Sequence, residues 1–373
     1  MNRNFSAYLD IIRLLAAGFV FYAHSNVRFL IPSPLPLAEF AHSAVTVFFV
    51  LSGYVVAFVA DQRESSLSSY TASRASRILS LSVLAVLLTP LLDMVGREIR
   101  PELYAANIPS DYWFIRVMAS LLFLCEIWTI SITTFSNIPY WSLNYEVWYY
   151  VLFGMYLFTP HNKKWMVIMI IGFALGPKII LLLPCWLAGV FAYRCKAIDQ
   201  WSSWAAFLLW LVTVFAFIFY HYFDLMRAFG DFLLLHGGEW LHTQLHHSRY
   251  FAADWLLAII ISINFLAARR ILTLLADPAH GLTKLLGKMG SLSYALYIMH
   301  FPLLYFWAAI LGQHNPGWGW YTMVMLATFL SILSFGFFGE WLRVHLRGYF
   351  TYVFNRYDGL FSSFLIRSPI NVV

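Results

Sequence analysis

Apolar residues run along this chain in long blocks separated by short polar stretches. The blocks fall at residues 11–30, 44–60, 78–95, 113–133, 142–158, 165–176, 179–193, 204–222, 252–267, 291–311 and 321–338. A hydrocarbon core about 30 Å thick is crossed by about twenty apolar residues of helix, so every block except the short 165–176 is a candidate span. Basic residues fall in the loop with Arg63, Arg74 and Arg77, at Lys163 and Lys164, at Arg194 and Lys196, across 269–288, and after Arg343. The positive-inside rule places these stretches in the cytoplasm. Three spans then leave the chain outside at "GREIRPELYAANIPSD", and an odd number of crossings must return it before Lys163. Two blocks intervene, so one does not cross. Block 113–133, which contains Arg116 and Glu126, is expected to be the tilted, re-entrant or interfacial piece; the rival is that 165–176 stays within one leaflet. The expected fold is all-α, a polytopic transmembrane helical bundle of about ten spans with N and C termini cytoplasmic.

Composition supports this. Hydrophobic residues make up 61% of the 373 positions and charged residues 11%, with a mean hydropathy of +0.70. A soluble domain of that size needs far more charge at its surface. The first block lacks a small-residue cleavage site and many more follow it, so it is not an ordinary signal peptide. The formal charge of +6 is gathered in short loops, which argues against a nucleic-acid partner. Cys125, Cys185 and Cys195 show neither a disulfide framework nor metal-type spacing. Residues 1–342 form the expected transmembrane domain and 343–373 a cytoplasmic or interfacial tail, with no separate soluble domain.

Within the first block, "IIRLLAAGFVFYAH", an arginine and a histidine stand eleven residues apart. Eleven residues of helix turn through about 1,100°, so Arg13 and His24 share a face, about 16 Å apart along the axis. The segment places Arg13 near the cytoplasmic boundary and His24 half a membrane deeper. Two readings stand. Arg13 snorkels to lipid phosphates while His24 bonds a neighbouring carbonyl, or the two line a polar channel in which neutral His24 acts as a base. Asp10, three residues before Arg13, is placed to pair with it.

Four segments then resemble the acyltransferase 3 family, in order and spacing: "YLDIIRLLAAGFVFYAHS", "AVTVFFVLSGYVV", "WSLNYEVWYYVLFG" and "GKMGSLSYALYIMHFPLL". The chain departs from the family pattern at Ala44 and Thr46, and at Ser80 and Leu81 after the paired arginines. The resemblance implies an integral membrane O-acyltransferase that uses a coenzyme A thioester. Arg74 and Arg77, which alone could be a positive-inside anchor, would then hold the donor's phosphates with bidentate guanidinium contacts. Glu146 is either a carboxylate reaching headgroup water or, matching the family glutamate, a group that orients His24 or binds the acceptor hydroxyl. Ser142, Asn144 and Trp141 stand beside it. His300, with Tyr297 one helical turn before it, is a structural hydrogen bonder or a substrate contact, and Pro302 would free backbone carbonyls nearby.

The segment "LLLHGGEWLHTQLHHSRY" places His242 and His246 four apart, but no third ligand is convincing, and no metal is expected. Its Trp240, Tyr250, Asp231 and Glu239 could instead line an acceptor site. No glycine-rich phosphate loop, serine–histidine–acid order or nucleotide fingerprint occurs. The expected function is transfer of an acyl group, most simply acetyl from acetyl-CoA, to a hydroxyl of an envelope or exported carbohydrate or glycolipid. It would take place in the cell (inner or plasma) membrane, with His24, Glu146 and Arg13 catalytic and the membrane domain sufficient alone. The alternative is a proton- or anion-coupled transporter or flippase using the same buried ionisable groups, although related halves are not evident. A structural subunit of a partner enzyme is a weaker third.

Overall fold

The computed structural model describes residues 1–31, 33, 35–105, 108–275, 280–312 and 316–365. Its helices are α1 (Arg3–His24), α2 (Ala41–Arg63), α3 (Leu67–Ile99), α4 (Pro101–Ala105), α5 (Trp113–Leu121), α6 (Trp141–Phe158), α7 (His161–Leu175), α8 (Pro177–Arg194), α9 (Ser203–Tyr222), α10 (Leu225–Leu245), α11 (Phe251–Leu272), α12 (His280–Ile310) and α13 (Trp318–Leu365). Among the described residues no strand forms, and one isolated bridge joins Thr134 and Asn137. In lipid a helix satisfies its backbone within itself, so an apolar chain folds this way. Eight helical stretches among the described residues are long and apolar enough to cross a membrane, with α10 and α11 counted together. The 18-residue α6 and 15-residue α7 are the next most suited. The all-α polytopic bundle is borne out with eight candidate spans among the described residues; the ten expected would need both α6 and α7 as well.

Block 113–133 does not cross. Its helix α5 has nine residues, about 14 Å at 1.5 Å per residue. The chain then folds inward as an irregular loop in which Phe123, Trp128 and Phe135 take φ values of 55°, 49° and 51°. Left-handed backbone at bulky residues costs roughly 1–3 kcal/mol each and survives only where surroundings impose it. Here Trp148 Nε1 donates to the Phe123 carbonyl at 2.7 Å, the Cys125 N–H donates to Asn144 Oδ1 at 3.2 Å, and Lys178 donates to the Ile130 carbonyl.

The first helix starts earlier than the apolar block suggested. Asn2 caps it by accepting from the Asn4 N–H at 2.7 Å, and Phe5 and Leu9 are buried in the core. The chain turns just after His24, where the Ser25 N–H donates to the Phe21 carbonyl. Arg13 therefore sits mid-helix rather than at a boundary, and His24 at the end opposite the N-terminus. That correction moves the histidine to the far face.

Residues 224–250, expected as an outer loop, are mostly helical. Asp224 caps α10 through the Arg227 N–H, Gly238 breaks it at φ 81°, and a 3-10 turn spans His246–Tyr250. α13 runs unbroken across residues 342 and 343 into the tail; residues 366–373 lie outside the described residues.

α2 packs on α8, α3 on α12 and α13, α1 on α12 and α2, and α11 on α8 and α9. The α2–α8 pair meets backbone to backbone: a Cβ on Gly53 would overlap the Trp186 carbonyl, and one on Gly189 the Val50 carbonyl. Such small-residue contacts let membrane helices approach closely. Basic helix ends gather on one face. Asn4 at the start of α1 donates to the Leu272 carbonyl at the end of α11, and Arg194 at the end of α8 lies 3.9 Å from Asp61 near the end of α2.

Candidate functional site

Pro302 cannot donate to the carbonyl four residues before it. That carbonyl, on Ile298, instead accepts from Asn137 Nδ2 at 2.8 Å, tying the 122–137 loop to α12. Two residues further along α12 is His300, almost fully buried. Its Nε2 lies 2.8 Å from His24 Nδ1, and the rings stack with planes 6° apart. His300 Nδ1 faces the carbonyls of Leu296 and Tyr297 at 2.9 and 2.8 Å. Both of those partners only accept, so Nδ1 carries the hydrogen and Nε2 the lone pair. His24 must then donate from Nδ1, which leaves its Nε2 as a free acceptor. One imidazole orients the other, the arrangement a positioned general base requires.

Below this pair, towards the basic face, a narrow polar cavity of about 70 Å³ is lined by Arg13, Arg77, Glu146, Ser142, Tyr294 and Tyr297, among others. Distant segments thus converge: α1, α2, α3, α6 and α12 all contribute. Ser142 Oγ and the Tyr297 hydroxyl, 2.5 Å apart, lie between the cavity and the histidines, and the Tyr297 carbonyl is one of the His300 acceptors. Glu146 Oε1 accepts from Ser52 Oγ at 2.6 Å and from the Tyr150 hydroxyl at 2.5 Å. Trp186 Nε1 donates to Ser52 Oγ at 3.2 Å, which fixes that hydroxyl. The expectation that Glu146 orients His24 is therefore corrected: His300 does so, and Glu146 faces the cavity with the arginines.

The arginines divide. Arg13 Nη1 contacts Asp10 Oδ1 at 3.3 Å, the expected pair. The Arg77 side chain makes no hydrogen bond or ion pair among the described residues, and it lines the cavity. Arg74 lines the cavity too, but its Nη2 donates to Glu64 Oε2 at 2.8 Å, and its guanidinium lies over the Tyr70 ring at 5.0 Å. Burial pushes the Glu64 carboxyl up, and Arg74 pulls it back down. The three-residue spacing put both arginines on α3 but not in the same role, because only Arg74 meets the acid at the end of α2.

Two expected substrate contacts are also absorbed by the fold. Asn144 is fully buried, with Oδ1 on the Cys125 N–H and Nδ2 on the Tyr140 carbonyl. The Trp141 ring stacks on His247 at 4.1 Å, with His42 beyond at 6.3 Å.

Two buried polar clusters escaped the sequence reading. His42 Nε2 lies 3.0 Å from both Asp254 oxygens, and Thr46 donates to Oδ1 at 2.9 Å. The signal was present in polar His42 and Thr46 four apart in an apolar run, facing the lone acid of another. Lys178, with no exposed surface, donates to Glu126 Oε2 at 2.9 Å and Ser131 Oγ at 2.7 Å. Burial raises the Glu126 carboxyl, and Lys178 opposes that shift. Glu126, His246 and His247, rather than His242 and His246, bring ligand atoms within 4.8 Å of one another. The Lys178 ammonium on the same carboxylate opposes a cation there.

The fold and site define a multi-pass membrane protein with an oriented histidine pair above an arginine-lined cavity. The chain belongs to the acyltransferase 3 family, described as an acyltransferase domain, which matches residues 6–337. Over 122 residues it is 29% identical to exopolysaccharide production protein ExoZ of Rhizobium meliloti (strain 1021), a match covering 33% of this chain and 36% of that relative. The alignment thus spans about a third of the relative's length. No solved structure matches.

Proposed function

We propose that this protein transfers an acyl group, most simply acetyl, from a cytoplasmic coenzyme A thioester to a hydroxyl of an exported or envelope carbohydrate. The observation that carries the reading is the His24–His300 pair, which leaves His24 Nε2 as an unshared base and is joined through Tyr297 to the cavity that holds Arg13 and Arg77. The basic face is the cytoplasmic one under the positive-inside rule. Arg13 and Arg77 bind the donor's diphosphate, and the pantetheine arm extends through the cavity towards Ser142 and Tyr297. The acceptor approaches from the opposite face, where α1 ends at His24. His24 Nε2 takes the hydroxyl proton while the oxygen attacks the thioester carbonyl. The carbon–sulfur bond breaks, the ester forms, and the thiolate leaves with the proton from the imidazolium. No covalent acyl-enzyme is needed when both substrates are held together. The likeness to an exopolysaccharide production protein supports a carbohydrate acceptor, and the apolar helices support residence in the inner or plasma membrane.

The test compares a strain lacking this gene with strains carrying wild type or His24→Ala at equal protein level, using mass spectrometry of base-labile esters on envelope glycans. A specific ester present only with wild type supports the reading and identifies the acyl group. Identical esters in all three strains overturn the glycan acceptor. Thioester consumption in membranes then tests the donor independently.

A further inference from the structure

A second polar space, of about 220 Å³, lies between α1, α3, α12 and α13. Arg13, Arg77 and Tyr294 line both spaces, so the two adjoin; Arg343 of α13 lines only this one. Its walls are closely apposed. A Cβ on Gly336 would overlap the Leu292 side chain, and one on Gly290 would stand 2.9 Å from Asp10 Oδ1. At Gly287 a Cβ would meet nothing within 4 Å, which leaves one wall open.

Three guanidinium groups line the space against two carboxylates, Glu340 and the adjoining Asp10. Asp10 pairs with Arg13, Glu340 holds Arg343, and Arg77 has neither. The one excess positive charge stands at an inner station, on Arg77 beside Arg13, while Arg343 forms an outer station matched by Glu340. Glu340 grips Arg343 as a fork, at 2.9 Å to Nε and 2.5 Å to Nη2. That fork occupies the Nε–Nη2 edge, so a phosphate binds there bidentately by replacing Glu340. The two side chains are 36% and 42% exposed, so exchange of Glu340 for an anion meets little burial.

We propose that Arg343 binds a second phosphate group of the donor, the phosphomonoester on its ribose, while Arg13 and Arg77 hold the diphosphate. This rests on the coenzyme A reading above. Two arginine stations in adjoining spaces, Arg13 with Arg77 and Arg343, fit a donor whose phosphates stand at two separate places. A lipid headgroup shares the phosphate chemistry but offers it at the membrane surface alone.

The test measures initial rates of the full chain in vesicles, with acetyl-CoA and with acetyl-dephospho-CoA, which lacks only that phosphomonoester. Wild type is expected to show a KM about tenfold higher for the dephospho donor, the scale of one charge-assisted contact. Arg343→Gln should raise KM for acetyl-CoA to the dephospho value, leave the dephospho KM unchanged and spare kcat. Arg343→Lys should recover part of the difference, and Glu340→Gln should lower KM for acetyl-CoA alone. Equal KM for the two donors in wild type overturns the proposal, as does a variant that raises both KM values together. A discrimination seen only in vesicles containing anionic lipid assigns Arg343 to a headgroup and overturns it also. Failure of wild type to consume either thioester overturns the donor reading itself, a different result from equal use of both.

Discussion

His24 and His300, 276 positions apart in sequence, stack with planes 6° apart and share one hydrogen bond of 2.8 Å. The direction of that bond is set from outside the pair, by two backbone carbonyls on α12. His24→Ala should lower ester formation by about 10²–10⁴-fold, the usual worth of a positioned base. His300→Gln, whose amide oxygen still accepts from His24 Nδ1, should keep much more activity than His300→Phe, which cannot. Thiol release in membranes reads both. Equal loss in the glutamine and phenylalanine variants would exclude the orienting role.

Arg74 and Arg77 of α3 should separate by assay. Arg77→Gln is expected to raise donor KM about tenfold or more, because Arg77 is the one held out of any ion pair. Arg74→Gln should act on stability instead, since it removes the cation bonded to the buried Glu64 carboxylate. Breaking such a pair costs about 3–5 kcal/mol. Thermal unfolding in detergent should show the loss, and adding Glu64→Gln should restore most of it.

Lys178 anchors the inward loop through Glu126, with 0% and 3% of the two side chains exposed. Lys178→Met should lower the unfolding temperature near neutral pH. The sign of its pH dependence follows from the burial that already raises the Glu126 carboxyl. In the variant nothing opposes that shift, so the folded state holds a proton that the unfolded state releases. Stability should therefore recover as pH falls towards the unfolded carboxyl range and be lost again as pH rises through the folded value. An unfolding temperature in Lys178→Met that is flat with pH would count against this.

Glycines at the α2–α8 contact should differ sharply from one elsewhere. Gly189→Ala forces Cβ into the Val50 carbonyl and should reduce folded protein several-fold. Gly18→Ala, on α1, meets nothing within 4 Å. It should be neutral or stabilising by about 0.4–1 kcal/mol, because alanine is the better helix former. Fluorescence-detected size exclusion measures both.

Much of the bundle was legible because lipid leaves few choices: a long apolar block becomes a helix wherever backbone groups have no water. The same logic, through the charges in block 113–133, correctly removed that block from the crossings. Helix ends were less legible. Apolar content cannot register a cap, so Asn2 and the turn after His24 moved α1 towards the N-terminus and placed Arg13 at its middle. The segment around His242 was read as a loop from its glycines and histidines, yet Asp224 starts a helix there.

The sequence by itself determined the helical membrane fold and the family, and it named Arg13, His24, Arg77, Glu146, Ser142, Tyr297 and His300 as candidate site residues. Periodicity and composition act along one chain segment at a time, so they reach that far. Only the tertiary structure decided who faces whom. It gave His24 to His300 rather than Glu146, spent Arg74 on Glu64 while leaving Arg77 open, and turned Asn144 into a brace for the Cys125 loop. A hydrogen bond or ion pair between distant segments depends on how helices cross and rotate, and that is fixed by packing of whole faces, not by local spacing.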